Sequence, residues 1–397
     1  MESSQQLRTG RRVVSSCLAA VVGMLAAGCG TGNAPPGPAA GSTGAGGPAT
    51  SPGKTPTACS VSDDLAISPG EATAPAIAFG GAHFAVAWTD RAHEGHLVLT
   101  VIDRDGHRIH EEPITRGAGS STSPSVTHLP GGGFLVTWVE MGGGGGTVRG
   151  LRVAEDGTSR GSPFAVSRTV SPEAHPDVTA MASGAAVAWT EAAGASIGMV
   201  VNDAVEGAIS IPGAAQVALA SSGGALGALW SSGSQMGFAH LALPLRASEA
   251  AHPALFRSAT GKANLPRLAA TDSGAFIAAW EDNRAGDGNE SVRAVRLGPD
   301  GTPGEELELS PAGTSANYPD VAWMGSAAAV VYYQFRDGPP AIYLSLLTPD
   351  LRRIGEDLRV SAHAGARFPR AAWGDGMLGV TYAQRSGPVR LALVTCK

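Results

Sequence analysis

Residues 276–301 read FIAAWEDNRAGDGNESVRAVRLGPDG: a short apolar run closed by Trp280, an acidic turn, an alternating strand and a Pro-Asp-Gly turn. The same unit recurs along most of the chain. Its closing aromatics are Trp88, Trp138, Trp189, Trp230, Trp280, Tyr332 and Tyr382, spaced by 50, 51, 41, 50, 52 and 50 residues. A fixed period of that size marks a propeller or a solenoid. A proline stands 13 or 14 residues before six of the seven: Pro75, Pro124, Pro176, Pro266, Pro319 and Pro369. The fourth unit has Gln216 and Val217 there and is the shortest copy.

Each unit reads as four short strands. The second is FAVAW, FLVTW, AAVAW, ALGALW, FIAAW, AVVYY or LGVTY. These runs are too short for helices, and Gly, Pro, Asp and Ser bound them, so they read as strands buried on both faces. Asp105-Gly106, Asp156-Gly157 and Asp300-Gly301 follow the third strands, and Asp-Gly is a tight-turn signal. No amphipathic helix is expected after residue 60. Seven such units predict an all-β fold, a seven-bladed β-propeller of four-stranded antiparallel blades.

The ends of the chain say how the ring closes. The last unit stops after VRLALVTCK, one strand short. Asp64-Leu65-Ala66-Ile67-Ser68 precedes the first unit and matches Glu306-Leu307-Glu308-Leu309-Ser310, a fourth strand. The N-terminal strand is therefore expected to complete the C-terminal blade. In this alignment Cys59 and Cys396 flank the missing turn, which predicts a disulfide between them.

Upstream, Arg8, Arg11 and Arg12 precede an apolar run from Val13 to Gly28 and then Cys29. This reads as a signal peptide over residues 1–28. Residues 29–58 follow as a Cys and a Gly/Pro/Ala/Ser tether, and residues 59–397 are the propeller. The tether is flexible, with a reach of about 30 Å. Leu25-Ala26-Ala27-Gly28-Cys29 resembles the bacterial lipobox, with the usual Leu one place early. That resemblance implies cleavage before Cys29 and acylation of its thiol by palmitate-type chains. Of 28 basic and 34 acidic residues, cleavage would leave 25 and 33, a charge of −8. An acidic monomer of this kind is not expected to bind nucleic acid.

Chemistry was sought in the turns. Two residues past the aromatics stand Asp90, Glu140, Glu191, Ser232, Asp282, Gln334 and Gln384. The carboxylates Asp90, Glu140, Glu191 and Asp282 form a candidate ligand-binding ring at one rim. Regular repetition at one register equally describes a structural residue. The loop from Asp282 through Asp287, Asn289 and Glu290 is oxygen-rich enough to be a candidate calcium site, but lacks EF-hand spacing. His93 and His96 flank Glu94 without a HExxH pattern, and no metal ligand set is assigned. His175, His252 and His363 recur near the starts of first strands. No nucleophile elbow and no phosphate loop is present. The in-register tryptophans are expected in the core. Aromatics outside that register, including Tyr318, Phe335, Tyr343 and Phe368, concentrate in the sixth and seventh units.

The repeat resembles A-W-x-D-x-R…DG units of bacterial exported β-propeller lipoproteins, over residues 60–397 and most clearly at Ala278–Gly301. The resemblance implies lipid anchoring in the bacterial cell envelope, at the outer membrane on its periplasmic or surface side. It implies a recognition surface and no particular reaction. Three functions are carried forward: a non-catalytic module binding protein or glycan on a rim, an envelope assembly scaffold, and a hydrolase or lyase working at the central channel. The first is favoured. The third requires a cluster of non-repeating acidic, His or Arg residues converging on the channel.

Overall fold

The computed structural model describes residues 54–397 apart from 93–94, 117–118, 143–144, 168–169, 171–173, 223, 251, 257–259, 312 and 337. Cys29, the leader and most of the tether lie outside the described residues, as do His93 and Glu94. Seven antiparallel sheets of four strands each account for every strand. We number these blades in chain order from Ala72. The inner strand of each blade packs on the inner strands of its neighbours, and Ala72–Gly80 of blade 1 packs on Ala366–Gly374 of blade 7. The ring is closed. No helix among the described residues is long and apolar enough to cross a membrane. The sole departure from an all-β chain there is one helical turn, Ala247–Ala250, in the short fourth unit.

Closure follows the expected route. Blade 7 has the order Cys59–Ala66, Val389–Cys396, Met377–Gln384, Ala366–Gly374. Cys59 pairs in register with Cys396, and the two form a disulfide.

The apolar second strands make the cores between blades. Trp88, Trp138, Trp280, Tyr332 and Tyr382 are at most 1% exposed, and Trp189 and Trp230 are 5% exposed. Trp138 of blade 2, for example, packs with Ala85, Ala87, Leu97 and Leu99 of blade 1. Each buried indole removes roughly 200 Å² from water, on the order of 5 kcal/mol before conformational entropy is subtracted. The ring therefore draws its stability from blade-to-blade faces. The predicted Asp-Gly turns form with Gly106, Gly157 and Gly301 at φ of 87°, 95° and 82°, a left-handed backbone that glycine adopts without steric cost.

The inner strands begin earlier than their prolines suggest. In blades 1, 2, 5, 6 and 7 the pairing slips between Thr73 and Ala76, Thr122 and Ser125, Asn264 and Arg267, Asn317 and Asp320, and Arg367 and Arg370. Proline has no N–H to give the ladder, so it sits in a β-bulge. The residue before it takes positive φ: 49° at Ala74, 51° at Ser123, 50° at Leu265, 52° at Tyr318 and 56° at Phe368. In these five blades the residue after the bulged proline lies at the wall of the central channel.

Candidate functional site

The channel encloses a cavity of about 390 Å³. The residue after each repeat proline lines it: Ala76, Ser125, Asp177, Arg267, Asp320 and Arg370. Blade 4, with no proline, has Ala218 at that register. One structural position thus carries two apolar, one hydroxyl, two acidic and two guanidinium side chains. The acids and guanidiniums fall in blades 3, 5, 6 and 7.

Their contacts are specific. Asp177 of blade 3 accepts the Leu219 N–H of blade 4 at 2.7 Å and the Ser125 hydroxyl of blade 2 at 3.3 Å. Asp320 of blade 6 accepts the Ala371 N–H of blade 7 at 2.8 Å and lies 3.5 Å from Arg267 Nε of blade 5. Each acid therefore ties one inner strand to the next. Burial holds the Asp177 carboxyl above its ordinary range. Arg370 makes a 3.0 Å bond to the Pro369 carbonyl. Among the described residues it has no carboxylate within ion-pair distance. Burial, and then the Arg267 charge, push its pKa down to about 10, so it remains a cation at neutral pH. His175 is reached by water inside the channel. The surrounding protein, with Arg267 and Arg370, pushes its pKa down to about 4.

An aromatic cluster stands at the mouth between blades 6 and 7. Tyr318 and Phe368 line the cavity, with ring centroids 4.7 Å apart and edge to face. Tyr333 stacks on Tyr318 at 5.7 Å and meets Phe335 at 6.0 Å. Phe335 is 37% exposed, and the Arg367 guanidinium lies 5.9 Å from it and from Tyr333. Beneath Tyr318, Glu281 accepts its backbone N–H at 3.3 Å, and burial holds that carboxyl up as well. Tyr343, by contrast, is buried, and Trp323 and Trp373 are half-buried against blade cores.

The carboxylate ring stands at this same rim, since Asp90, Glu140 and Asp282 pair with the first residues of their inner strands. Its members are occupied locally. Asp282 is fully buried, accepts Trp280 Nε1 at 3.0 Å, and holds Arg284 through two bonds of 2.9 and 2.8 Å. Glu191 accepts Trp189 Nε1 at 2.6 Å, Glu140 pairs with Arg149 at 2.8 Å, and Asp90 accepts the Ala92 N–H at 2.9 Å. Each contact stays within its own blade. In blade 5 the W-x-D-x-R stretch thus has a visible local role: Asp282 satisfies the Trp280 indole N–H and orients Arg284.

No protein-family model matches the chain. No curated protein matches it either. Among solved structures it is similar to Kluyveromyces lactis Hsv2 (complete loop 6CD), with a TM-score of 0.49 and 12% identity over 79% of this chain and 90% of that one. No functional argument rests on that likeness.

Among the described residues, one group brings three metal-type ligand atoms together: Asp103, Asp105 and His107. It is a surface turn of blade 1 in which Asp103 accepts the backbone N–H groups of Asp105 and His107 at 2.9 and 2.8 Å. It includes none of the four rim carboxylates. The charged channel is the residue set that the repeat pattern did not disclose, although its signal was present. The residue following the conserved-looking proline changes chemistry from copy to copy while its neighbours do not.

Proposed function

We propose that the chain is a cell-envelope lipoprotein whose propeller is a non-catalytic recognition module, with its ligand taken at the mouth of the central channel. One observation carries this reading. Arg267, Asp320 and Arg370, three of the four non-repeating charged residues after the prolines, share blades 5 to 7 with the aromatics Tyr318 and Phe368 that line the same cavity. A concave pocket where a few polar groups converge beside aromatic side chains is the ordinary form of a ligand site. The two channel acids already accept backbone N–H groups from neighbouring blades, which suits them to hold shape more than to exchange protons.

The test is a glycan array probed with intact protein and two variants. Phe335→Ala with Arg367→Ala should abolish binding. Ile109→Ala with Leu255→Ala, exposed apolar residues elsewhere, should leave it intact. Binding lost only in the second pair would place recognition elsewhere on the ring and overturn the proposal. Anchoring is tested separately: Cys29→Ala should abolish palmitate labelling and move the protein from the membrane to the soluble fraction.

A second reading has a specific observation in its favour. A hydrolase would need a channel carboxyl with raised pKa, and Asp177, which lines the cavity, has one. Turnover of any bound glycan, abolished by Asp177→Asn with binding retained, would favour it.

A further inference from the structure

The cavity is built in two chemically different halves. Its lining carries three guanidiniums, Arg91, Arg267 and Arg370, and two carboxylates, Asp177 and Asp320. Arg91 is paired with Glu71 outside, at 3.4 Å. Arg267 leans on Asp320, though its Nε makes no hydrogen bond there. Asp177 is spent on Leu219 and Ser125. Arg370 has no carboxylate within ion-pair distance among the described residues, is partly open to the channel, and lies beside a second guanidinium, so its donors are available to a ligand. Guanidinium is suited to carboxylate through its planar fork of donors.

The wall from blades 1 and 2, next to blade 7 and across from blade 5, presents Thr73, Thr122 and Ser123. Among the described residues none of these three hydroxyls is engaged in a side-chain hydrogen bond. Tyr318 and Phe368 line the same cavity from blades 6 and 7. Guanidiniums, free hydroxyls and aromatic rings around one cavity fit a ring that carries both a carboxylate and hydroxyl groups.

We propose that the channel binds an acidic sugar unit, its carboxylate held by Arg370 and Arg267, its hydroxyls by the Thr73–Ser123 wall, and its apolar face by Tyr318 and Phe368. This rests on the channel-mouth reading above and names its ligand class. A peptide C-terminus shares the carboxylate but not the ring or the hydroxyls, so the hydroxyl wall favours the sugar.

Calorimetric titration of the intact protein with glucuronate, glucose and triglycine decides it. Glucuronate should bind at least tenfold more tightly than glucose, and added salt should weaken it. Arg370→Gln should lower the glucuronate affinity at least tenfold while the unliganded melting temperature holds or rises, because an unpaired interior charge is removed. Arg370→Lys, which keeps the charge and loses the fork, should fall between. Equal affinity for glucuronate and glucose, or an unchanged affinity in Arg370→Gln, would overturn the anion inference and leave mouth recognition standing. Triglycine bound through Arg370 more tightly than glucuronate would overturn the sugar assignment in favour of peptide ends. Binding of none of the three would overturn this inference, and the array variants would then judge the mouth reading by themselves.

Discussion

The Tyr382 hydroxyl donates to Asp64 Oδ2 across a 2.6 Å hydrogen bond that joins residues 318 positions apart. Arg390 Nε adds a second bond to the same carboxylate at 2.9 Å, and the Ala362 N–H a third at 3.1 Å. Burial and the bond to Asp64 raise the Tyr382 pKa well above its ordinary value, so the donor stays protonated. Asp357 does the same for blade 6, accepting the Tyr332 hydroxyl and pairing with Arg353. The last blade thus borrows from the start of the chain the acid that blade 6 supplies from within its own repeat.

Asp64→Ala should therefore cost about 3–5 kcal/mol, the range for removing one member of a buried pair. The Arg390 and Asp64 side chains are only 13% and 9% exposed, so the stranded guanidinium is not rescued by water. Tyr382→Phe should cost about 1 kcal/mol. In a double-mutant cycle read by urea unfolding, the two should couple. Additive effects would mean that the hydrogen bond contributes nothing to closure.

The disulfide closes the same seam, joining cysteines 337 positions apart. On the chain-entropy argument such a loop is worth roughly 5 kcal/mol at most. Replacing Cys59 and Cys396 by Ala should lower the unfolding free energy by up to that amount. The native far-ultraviolet dichroism should survive, because the terminal strands remain paired from Cys59↔Cys396 to Ala66↔Arg390. Loss of the native spectrum would show that the strand pairing depends on the covalent bond.

The closure was legible because its parts are sequence-local. Asp64-Leu65-Ala66-Ile67-Ser68 repeats the pattern of Glu306–Ser310, and the pattern has a mechanism. Ser68, Ser310 and Ser361 each accept an N–H from the third strand of their blade, from Val389, Val292 and Ile342. The channel was not legible in the same way. Strand alternation normally tells which residues face which side. Here a bulge at five of the six repeat prolines inserts one residue and shifts that alternation, so Arg267, Asp320 and Arg370 reach the channel wall from positions whose facing the period does not give. The rim carboxylates were easy to see for the opposite reason. They recur in phase with tryptophan, and in blades 3 and 5 the indole N–H is their partner.

That distinction is testable at Asp282. Its side chain is fully buried and holds both Trp280 and Arg284. Asp282→Ala should destabilise the protein by about 3–5 kcal/mol and leave the affinity of the folded fraction for any mouth ligand unchanged. Glu191 is exposed, so Glu191→Gln should cost about 1 kcal/mol or less. Weakened ligand binding at unaltered stability in Asp282→Ala would return the rim ring to the binding site.

The last prediction concerns acid. His175 sits among Arg267, Arg370, Asp177 and Asp320, and its pKa is pushed down from 6.5 to about 4. The unfolded chain takes up this proton near pH 6.5, while the folded chain refuses it until near pH 4. Between those values the unfolded state binds more protons, so the histidine makes stability fall as pH falls. Asp177 and Glu281 have raised pKa values and act with the opposite sign, since the folded state protonates them first. The net profile of the wild-type protein mixes these contributions, but the difference from His175→Gln isolates one. Urea unfolding at pH 7.5, 6 and 5 should show wild-type stability declining relative to His175→Gln across the last two points. Parallel profiles would mean that the channel hydrates the protonated imidazole well enough to cancel the two arginines, and that the interior of the ring is wetter than its packing implies.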